Sequence, residues 1–172
     1  MPQRITRGDA EAVLNAFGTG GRVISANGRT VDAGPVDFLG SHGSIRPYEG
    51  SPWDGGHFCA LDWHVLLVGW VDGGDATFDR QRAEDVIGPV TVSFTLDGDA
   101  LETTRTPIKP FLKPSAFGLE RAWYFQQGKI MSPNDLSVGQ HQLSARFTDP
   151  ITGVFDTGIT FFIDAAGAGA CN

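Results

Sequence analysis

The stretch LSVGQHQLSARFTDPITGVFDTGITFFID, residues 136–164, decides the predicted fold of this chain. In residues 140–148, apolar and polar side chains alternate, which is the period-two pattern of a half-buried strand. The sequence DPITG, residues 149–153, supplies the Asp, Pro and Gly of a turn. Residues 154–163 are rich in β-branched and aromatic side chains, as strands are. The stretch therefore predicts two long strands joined by a short loop.

Upstream segments supply further strands for this hairpin to pack against. Residues 64–71 (HVLLVGWV) form an apolar run that predicts a central strand, and residues 89–96 (PVTVSFTL) alternate cleanly. Residues 122–131 predict another strand, interrupted by a glycine. Three prolines in residues 107–114 exclude a helix or a central strand there. Residues 9–17 (DAEAVLNAF) predict a short helix with Asp9 as its N-cap.

Three of these motifs resemble the immunoglobulin-like β-sandwich domains of bacterial proteins. HVLLVGWVDGGD resembles a B strand and its loop, PVTVSFTLDGDAL resembles a C strand with its turn, and residues 136–164 resemble an F–G hairpin. The likeness covers residues ~60–164. It implies a mainly β, antiparallel sandwich and a role in adhesion, spacing or binding. His141 falls where a corner tyrosine often stands, so the resemblance implies that it hydrogen-bonds backbone across the preceding turn.

The resemblance leaves the two ends of the chain without a counterpart. We expect residues 1–58 to form a short helix and a loop-rich extension packed on the sandwich, residues 59–165 to form the sandwich, and residues 166–172 to form a mobile tail. Cys59 and Cys171 do not fall on strands B and F, so the usual antibody disulfide is excluded. They form either one disulfide between the tail and the middle of the chain or two unpaired thiols.

Charge and hydropathy restrict the classes of partner. The 172-residue chain has a formal net charge of −7, which argues against a surface for nucleic-acid phosphates or anionic membranes. No apolar run reaches the ~18 residues of a membrane-spanning helix, so no membrane insertion is expected. No signal peptide is visible. A cytoplasmic location is the default expectation, and an extracytoplasmic one applies if a signal was removed.

One cluster of residues has the composition of a metal site. His42, His57, Asp62 and His64 lie within a short span, and imidazole and carboxylate groups bind Zn²⁺. Three protein ligands plus water would make a catalytic site. However, the spacing from His57 to His64 is not an established ligand pattern. The alternative is that His64 packs at the start of a strand while His42 and His57 lie in surface loops.

Two aromatic residues in the Gly- and Pro-rich segment 40–58 are candidates for ligand contact. Tyr48 and Trp53 beside acidic groups are typical of carbohydrate- and protein-binding faces. The alternative is that they cap the core. The acidic residues in the range 72–85 are interpreted as a solvated loop, with Ca²⁺ binding as the alternative.

Three functional hypotheses follow. The first is a non-catalytic binding or assembly module that contacts a protein partner, or a second copy of itself, through strand edges and the 40–58 loop. It needs no cofactor. The second is a small metal-dependent enzyme or metal-binding protein that uses zinc at the His/Asp cluster. The third is a carbohydrate-binding module that uses the loop aromatics.

Overall fold

The computed structural model describes residues 4–16, 22–24, 30–32, 44–45, 47 and 53–172. In chain order its elements are α1 (Arg7–Ala16), β1 (Arg22–Ile24), β2 (Thr30–Asp32), β3 (Ser44–Ile45), β4 (His57–Cys59), β5 (His64–Gly74), α2 (Arg80–Ile87), β6 (Thr91–Leu96), β7 (Asp99–Leu101), β8 (Thr104–Arg105), β9 (Lys109–Phe111), β10 (Arg121–Met131), β11 (Gly139–Asp149) and β12 (Gly153–Asp164), with one-turn 3₁₀ helices at Pro114–Phe117 and Gly169–Cys171.

The described protein is mainly β and is built from two five-stranded sheets. Sheet I has the order β3-β5-β10-β8, with β9 also pairing with β10, and sheet II has the order β4-β12-β11-β6-β7. Most neighbours are antiparallel, whereas β3 is parallel to β5 and β4 is parallel to β12. The short antiparallel hairpin of β1 and β2 forms a separate two-stranded sheet. Because β4 belongs to sheet II, the sandwich already includes residues before the predicted boundary at residue 59.

The main core lies between the two sheets. It follows the alternation in the opening stretch: Leu143, Ala145 and Phe147 on β11 are buried, whereas their neighbours on the strand point outward. Phe125 of β10 and Phe161 of β12 are completely buried, one from each sheet. The predicted hairpin of two long strands is therefore confirmed, with register pairs between residues 139–149 and 153–163.

The two outer faces of the sandwich differ. Helix α1 covers part of the outer face of sheet I, where Val13 and Leu14 pack with Val65 and Leu67 of β5. This explains why β5 begins with an uninterrupted buried run, as its sequence predicts. The outer face of sheet II instead carries mostly polar and charged side chains and is in contact with solvent.

Helix α1 begins earlier than predicted because a different residue caps it. Thr6 Oγ1 accepts a hydrogen bond from the Asp9 N–H at 3.2 Å, and Asp9 Oδ2 accepts one from the Thr6 N–H at 2.8 Å. This reciprocal arrangement is a capping box, which places Asp9 three residues inside the cap. The prediction that Asp9 is the N-cap is therefore wrong by three residues, since the cap is Thr6.

A second helix replaces part of the predicted acidic loop. Helix α2 begins after Asp79, whose Oδ1 accepts a hydrogen bond from the Arg82 N–H at 2.9 Å. Ala83 and Ile87 are completely buried in the main core. Two apolar residues four apart among charged ones make a narrow stripe. The loop interpretation is wrong for this part of the segment, because two apolar residues are too few to give a recognisable helical pattern among charged ones.

The tail that was predicted to be mobile is anchored to the sandwich. Cys171 forms a disulfide with Cys59 at the end of β4, with a Cα–Cα distance of 4.7 Å. The Ala170 N–H also donates to Asp164 Oδ2 at 2.8 Å. Of the two alternatives for the cysteines, the structure has the paired one. In the described part of the chain, no helix is long and apolar enough to cross a membrane.

His141 makes the corner contact that the resemblance implies. Its Nε2 lies 2.7 Å from Ser137 O and its Nδ1 lies 2.7 Å from Asp97 Oδ2, while the ring stacks on Phe161. Partial burial by itself would raise the pKa of Asp97, but hydrogen bonds from the Gln142 N–H and His141 outweigh it and lower that pKa below its usual value. His141 therefore ties the start of β11 to two neighbouring turns.

Candidate functional site

His57 is the most exposed of the described residues in the predicted metal cluster. Its side chain on β4 is 56% exposed, its Nδ1 lies 2.9 Å from Asp164 Oδ1, and its ring stacks on Phe162 at 4.9 Å. Hydrogen bonds from the Ala170 N–H and from His57 lower the pKa of Asp164 below its usual value. His57 and Phe162 form an aromatic pair on the outer face of sheet II, which we name the aromatic ledge.

The other two described members of the cluster point elsewhere. Asp62 lies in the turn before β5, where its Oδ1 accepts a hydrogen bond from the Ile5 N–H at 2.9 Å. His64 is 2% exposed, and its Nε2 lies 2.8 Å from Cys59 O. His42 lies outside the described residues. Within the described ranges no group of three or more His, Cys, Asp or Glu side chains could hold a metal ion, so zinc binding stays a prediction without structural support.

The two predicted binding aromatics have different outcomes. Tyr48 lies outside the described residues. Trp53 is partly buried and packs against the main core, with its ring edge-on to Phe58 at 5.9 Å. The residue after it reaches the edge of sheet II: Asp54 Oδ1 accepts a hydrogen bond from the Thr160 N–H at 3.0 Å. Trp53 therefore anchors a turn that brings Asp54 to the edge of β12.

Strand β12 has one edge that is only partly paired. It pairs with β11 from Gly153 to Ile163, whereas on its other side β4 pairs only with residues 162–164. The Thr160 N–H donates to Asp54, and the Phe162 N–H donates to Gly56 O. Because successive residues of a strand direct their N–H and C=O groups to opposite sides, even-numbered residues of β12 face this edge.

Three residues consequently leave this edge open. Val154, Asp156 and Gly158 direct their N–H and C=O groups outward, and these groups have no hydrogen-bond partner in the part of the chain that the structure describes. All three residues are exposed. We name the segment from Val154 to Gly158 the open edge of β12.

The tip of the β11–β12 hairpin adds apolar surface to the open edge. Val154 is 59% exposed, Phe155 44% and the loop residue Ile151 72%. Phe155 stacks on Phe147 at 4.9 Å and on Trp70 at 5.6 Å, so its ring is held in place while part of it faces solvent. Apolar contact area therefore lies directly beside unpaired backbone groups.

Arg146 and Asp156 form an ion pair on the outer face beside the open edge. Arg146 of β11 donates from both Nε and Nη2 to the two carboxylate oxygens of Asp156, at 2.7 and 2.9 Å. These hydrogen bonds lower the pKa of Asp156 and raise that of Arg146. Both side chains are more than half exposed, so the pair contributes little to stability.

A trough of about 790 Å³ crosses this face of sheet II. Its lining is polar apart from three residues, Ala145, Gly158 and Ile159, and it includes the inner part of the open edge. The lining residues are Asp54, Ser93, Thr95, Gln142, Ser144, Ala145, Arg146, Asp156, Thr157, Gly158, Ile159 and Thr160.

The sequence contained a signal for part of this surface. The period-two pattern of β11 already assigned Gln142, Ser144 and Arg146 to one polar face. It could not identify Asp54, which the turn after Trp53 delivers, nor the edge position of β12. Strand edges were predicted as contact surfaces without any indication of which strand would supply one.

No protein-family model matches this chain, and no curated protein matches it. The chemistry of the open edge and of the trough is therefore the basis for assigning a function.

Proposed function

We propose that this chain is a non-catalytic binding module with an immunoglobulin-like β-sandwich, and that it binds an extended segment of a partner protein along the open edge of β12. The observation that carries the proposal is the row of unpaired N–H and C=O groups on Val154, Asp156 and Gly158. An extended peptide can add to such an edge as a further strand, and side-chain pockets beside it supply specificity.

The strand order supports the immunoglobulin-like part of the proposal. Sheet II, β4-β12-β11-β6-β7, follows the order A′-G-F-C-C′, and β5-β10-β8 of sheet I follows B-E-D. The parallel pairing of β4 with β12 matches A′ and G. The contact from His141 to Ser137 O supports the same assignment, because it has the form of the corner contact found before strand F.

Charge favours a different chain over a second copy as the partner. Antiparallel pairing of two open edges in the register that uses all three residues places the Asp156 side chains of the two copies directly opposite each other. Like charges directly opposite are destabilising, and the ion pair of each Asp156 with Arg146 reduces this repulsion without removing it. A partner strand with a basic residue at that position avoids the repulsion. It also suits the net charge of −7.

The expected affinity is modest. Pairing the open edge forms up to about six backbone hydrogen bonds, each worth about 0.5–1.5 kcal/mol net. Covering Phe155, 44% exposed, adds about 2 kcal/mol from roughly 90 Å² of apolar surface. The entropy cost of association, about 4–15 kcal/mol, offsets much of this gain. The net gain is therefore at most about 7 kcal/mol, and we expect a dissociation constant between about 10 µM and 1 mM.

The disulfide supports an oxidising compartment as the place of function. Cys59 and Cys171 are bonded, and no free cysteine is present in the described residues. Disulfides persist in secreted, periplasmic and cell-surface proteins, whereas cytosolic thiols are kept reduced. Extracytoplasmic binding is thus part of the proposal.

The experiment is a selection of random-sequence peptides for binding to the full chain, followed by affinity measurements on two variants at one position. Val154→Pro removes an outward N–H, whereas Val154→Ala is the matched control that keeps it. This N–H lies outside the β11 ladder, so both variants should unfold at nearly the wild-type temperature.

We expect selected peptides to alternate apolar with basic residues, and Val154→Pro to weaken their binding at least tenfold while Val154→Ala retains most of it. Equal binding by the two variants, or no selected peptide with a dissociation constant below 1 mM, would refute the proposed edge.

A further inference from the structure

We propose that the trough on the outer face of sheet II is a separate binding site for an uncharged oligosaccharide. This inference goes beyond the proposed function, because it uses side chains on the face of the sheet and not the backbone of the open edge.

The register of sheet II explains the shape of the trough. Gly158, Ser144 and Thr95 stand side by side on β12, β11 and β6, which makes a low row across three strands. The longer side chains of Asp156 and Arg146 form the row on one side. Since every second residue of a strand lies on the same face, adjacent rows are about 7 Å apart. The low row is therefore the floor of the trough.

The opposite wall comes from Thr160 and Gln142, with Asp54 beside them. The two walls are four residues apart along the strands, or about 13 Å. The volume of about 790 Å³ lies within the range of small-molecule sites. Glycine keeps the floor open, since a Cβ at Gly158 would lie 3.0 Å from Ser144 Oγ.

The lining offers hydrogen-bonding groups that the protein does not use. The side chains of Ser93, Thr95, Gln142, Ser144 and Thr160 make no hydrogen bond within the described residues. Hydroxyl and amide groups both donate and accept. Sugar hydroxyls have the same dual character, so a row of such groups can bind several of them at once.

The charges of the lining disfavour an anionic ligand. The two hydrogen bonds between Arg146 and Asp156 leave that pair neutral in sum. Asp54 then leaves the trough with a net negative charge, which repels phosphate and carboxylate groups. An uncharged ligand meets neither this repulsion nor the cost of breaking the ion pair.

The aromatic ledge lies one row beyond the wall of the trough. Phe162 follows Thr160 by two residues and therefore shares its face, and the ring of His57 stacks on it with an angle of 14° between the planes. His57 is 56% exposed. The exposed part of this stacked pair offers aromatic surface to the C–H groups of a sugar ring. The ledge thus extends the polar trough with the apolar contact that carbohydrate recognition needs.

The test screens the full chain against an array of neutral plant, fungal and bacterial oligosaccharides, with heparin fragments and a polylysine peptide as charged probes. Binding of the best neutral probe is then measured by calorimetry. Ser144→Tyr fills the floor of the trough. Thr148→Tyr is the matched control, since it lies on the same strand and face but outside the lining.

We expect a neutral oligosaccharide to bind the wild type and Thr148→Tyr equally, and Ser144→Tyr to lose at least tenfold in affinity. Thr95→Tyr, in the same row, should show the same loss and replaces Ser144→Tyr if that variant does not fold. Val154→Pro should bind the sugar normally, which separates this site from the open edge. Binding of charged probes alone would overturn the proposal. So would the absence of any bound probe at ~5 mM, or unchanged affinity in both trough variants.

Discussion

Removal of the Cys59–Cys171 disulfide should lower the stability of the whole sandwich. The bond joins residues 112 apart in sequence. In the loop-entropy account, a closed loop of about 100 residues is worth about 4.7 kcal/mol, because the cross-link restricts the unfolded chain. Native disulfides of small domains typically contribute about 2–5 kcal/mol. We therefore expect the double variant Cys59→Ala/Cys171→Ala to lose about 3–5 kcal/mol in the free energy of unfolding.

The melting temperature should fall by a corresponding amount. For a domain of this size, each kcal/mol shifts it by about 2–4 °C, so a decrease of about 6–20 °C is expected. Urea denaturation of the oxidised wild type, the reduced wild type and the double variant measures the effect. The reduced wild type is the matched control, because it lacks the cross-link and retains both sulfur atoms.

A local effect should accompany the global one. The disulfide attaches the tail to β4, which pairs with residues 162–164 at the edge of sheet II. In the reduced protein, amides of β4 should exchange with solvent faster than those of β5. A loss below about 1 kcal/mol would refute the loop-closure argument for this bond, and two free thiols in the purified oxidised protein would refute the pairing itself.

Two further predictions concern the corner of β11 and the acid range. His141→Phe keeps the stack on Phe161 but removes the contacts to Ser137 O and Asp97, so chemical denaturation should show a loss of about 1–3 kcal/mol; wild-type stability would contradict the corner role. The pKa values of Asp97, Asp156 and Asp164 are lowered in the folded state. Depressed carboxyl pKa values stabilise the fold above the unfolded value of about 3.9 and lose that contribution as the pH falls through the folded values. The urea midpoint should therefore stay level from about pH 7 to 5 and fall below about pH 4, and a level midpoint at pH 3 would contradict this assignment.

The metal hypothesis inferred proximity in space from proximity in sequence. Asp62 and His64 are only two residues apart in sequence. The strand begins only at His64, so Asp62 lies in a turn and bonds to the N-terminal segment. His57 belongs to β4 in sheet II, whereas His64 belongs to β5 in sheet I. Proximity in sequence did not bring these side chains together because the turn between them changes sheets.

The sequence by itself determined the local features. Alternation with period two identified the long hairpin and assigned the buried face of Leu143 and Phe147, since strand geometry depends only on neighbouring residues. The turn residues at 149–153 were equally local. Each of these features depends on a few consecutive residues, whose conformational preferences act without help from the rest of the chain.

Only the tertiary structure decided which surfaces are available for binding. The open edge exists because β4 stops at residues that pair with 162–164, and the trough exists because Gly158, Ser144 and Thr95 fall into one row. Both depend on the register between strands far apart in sequence. Register is set by the packing of the whole core, since a shift by one residue would turn every buried side chain to solvent.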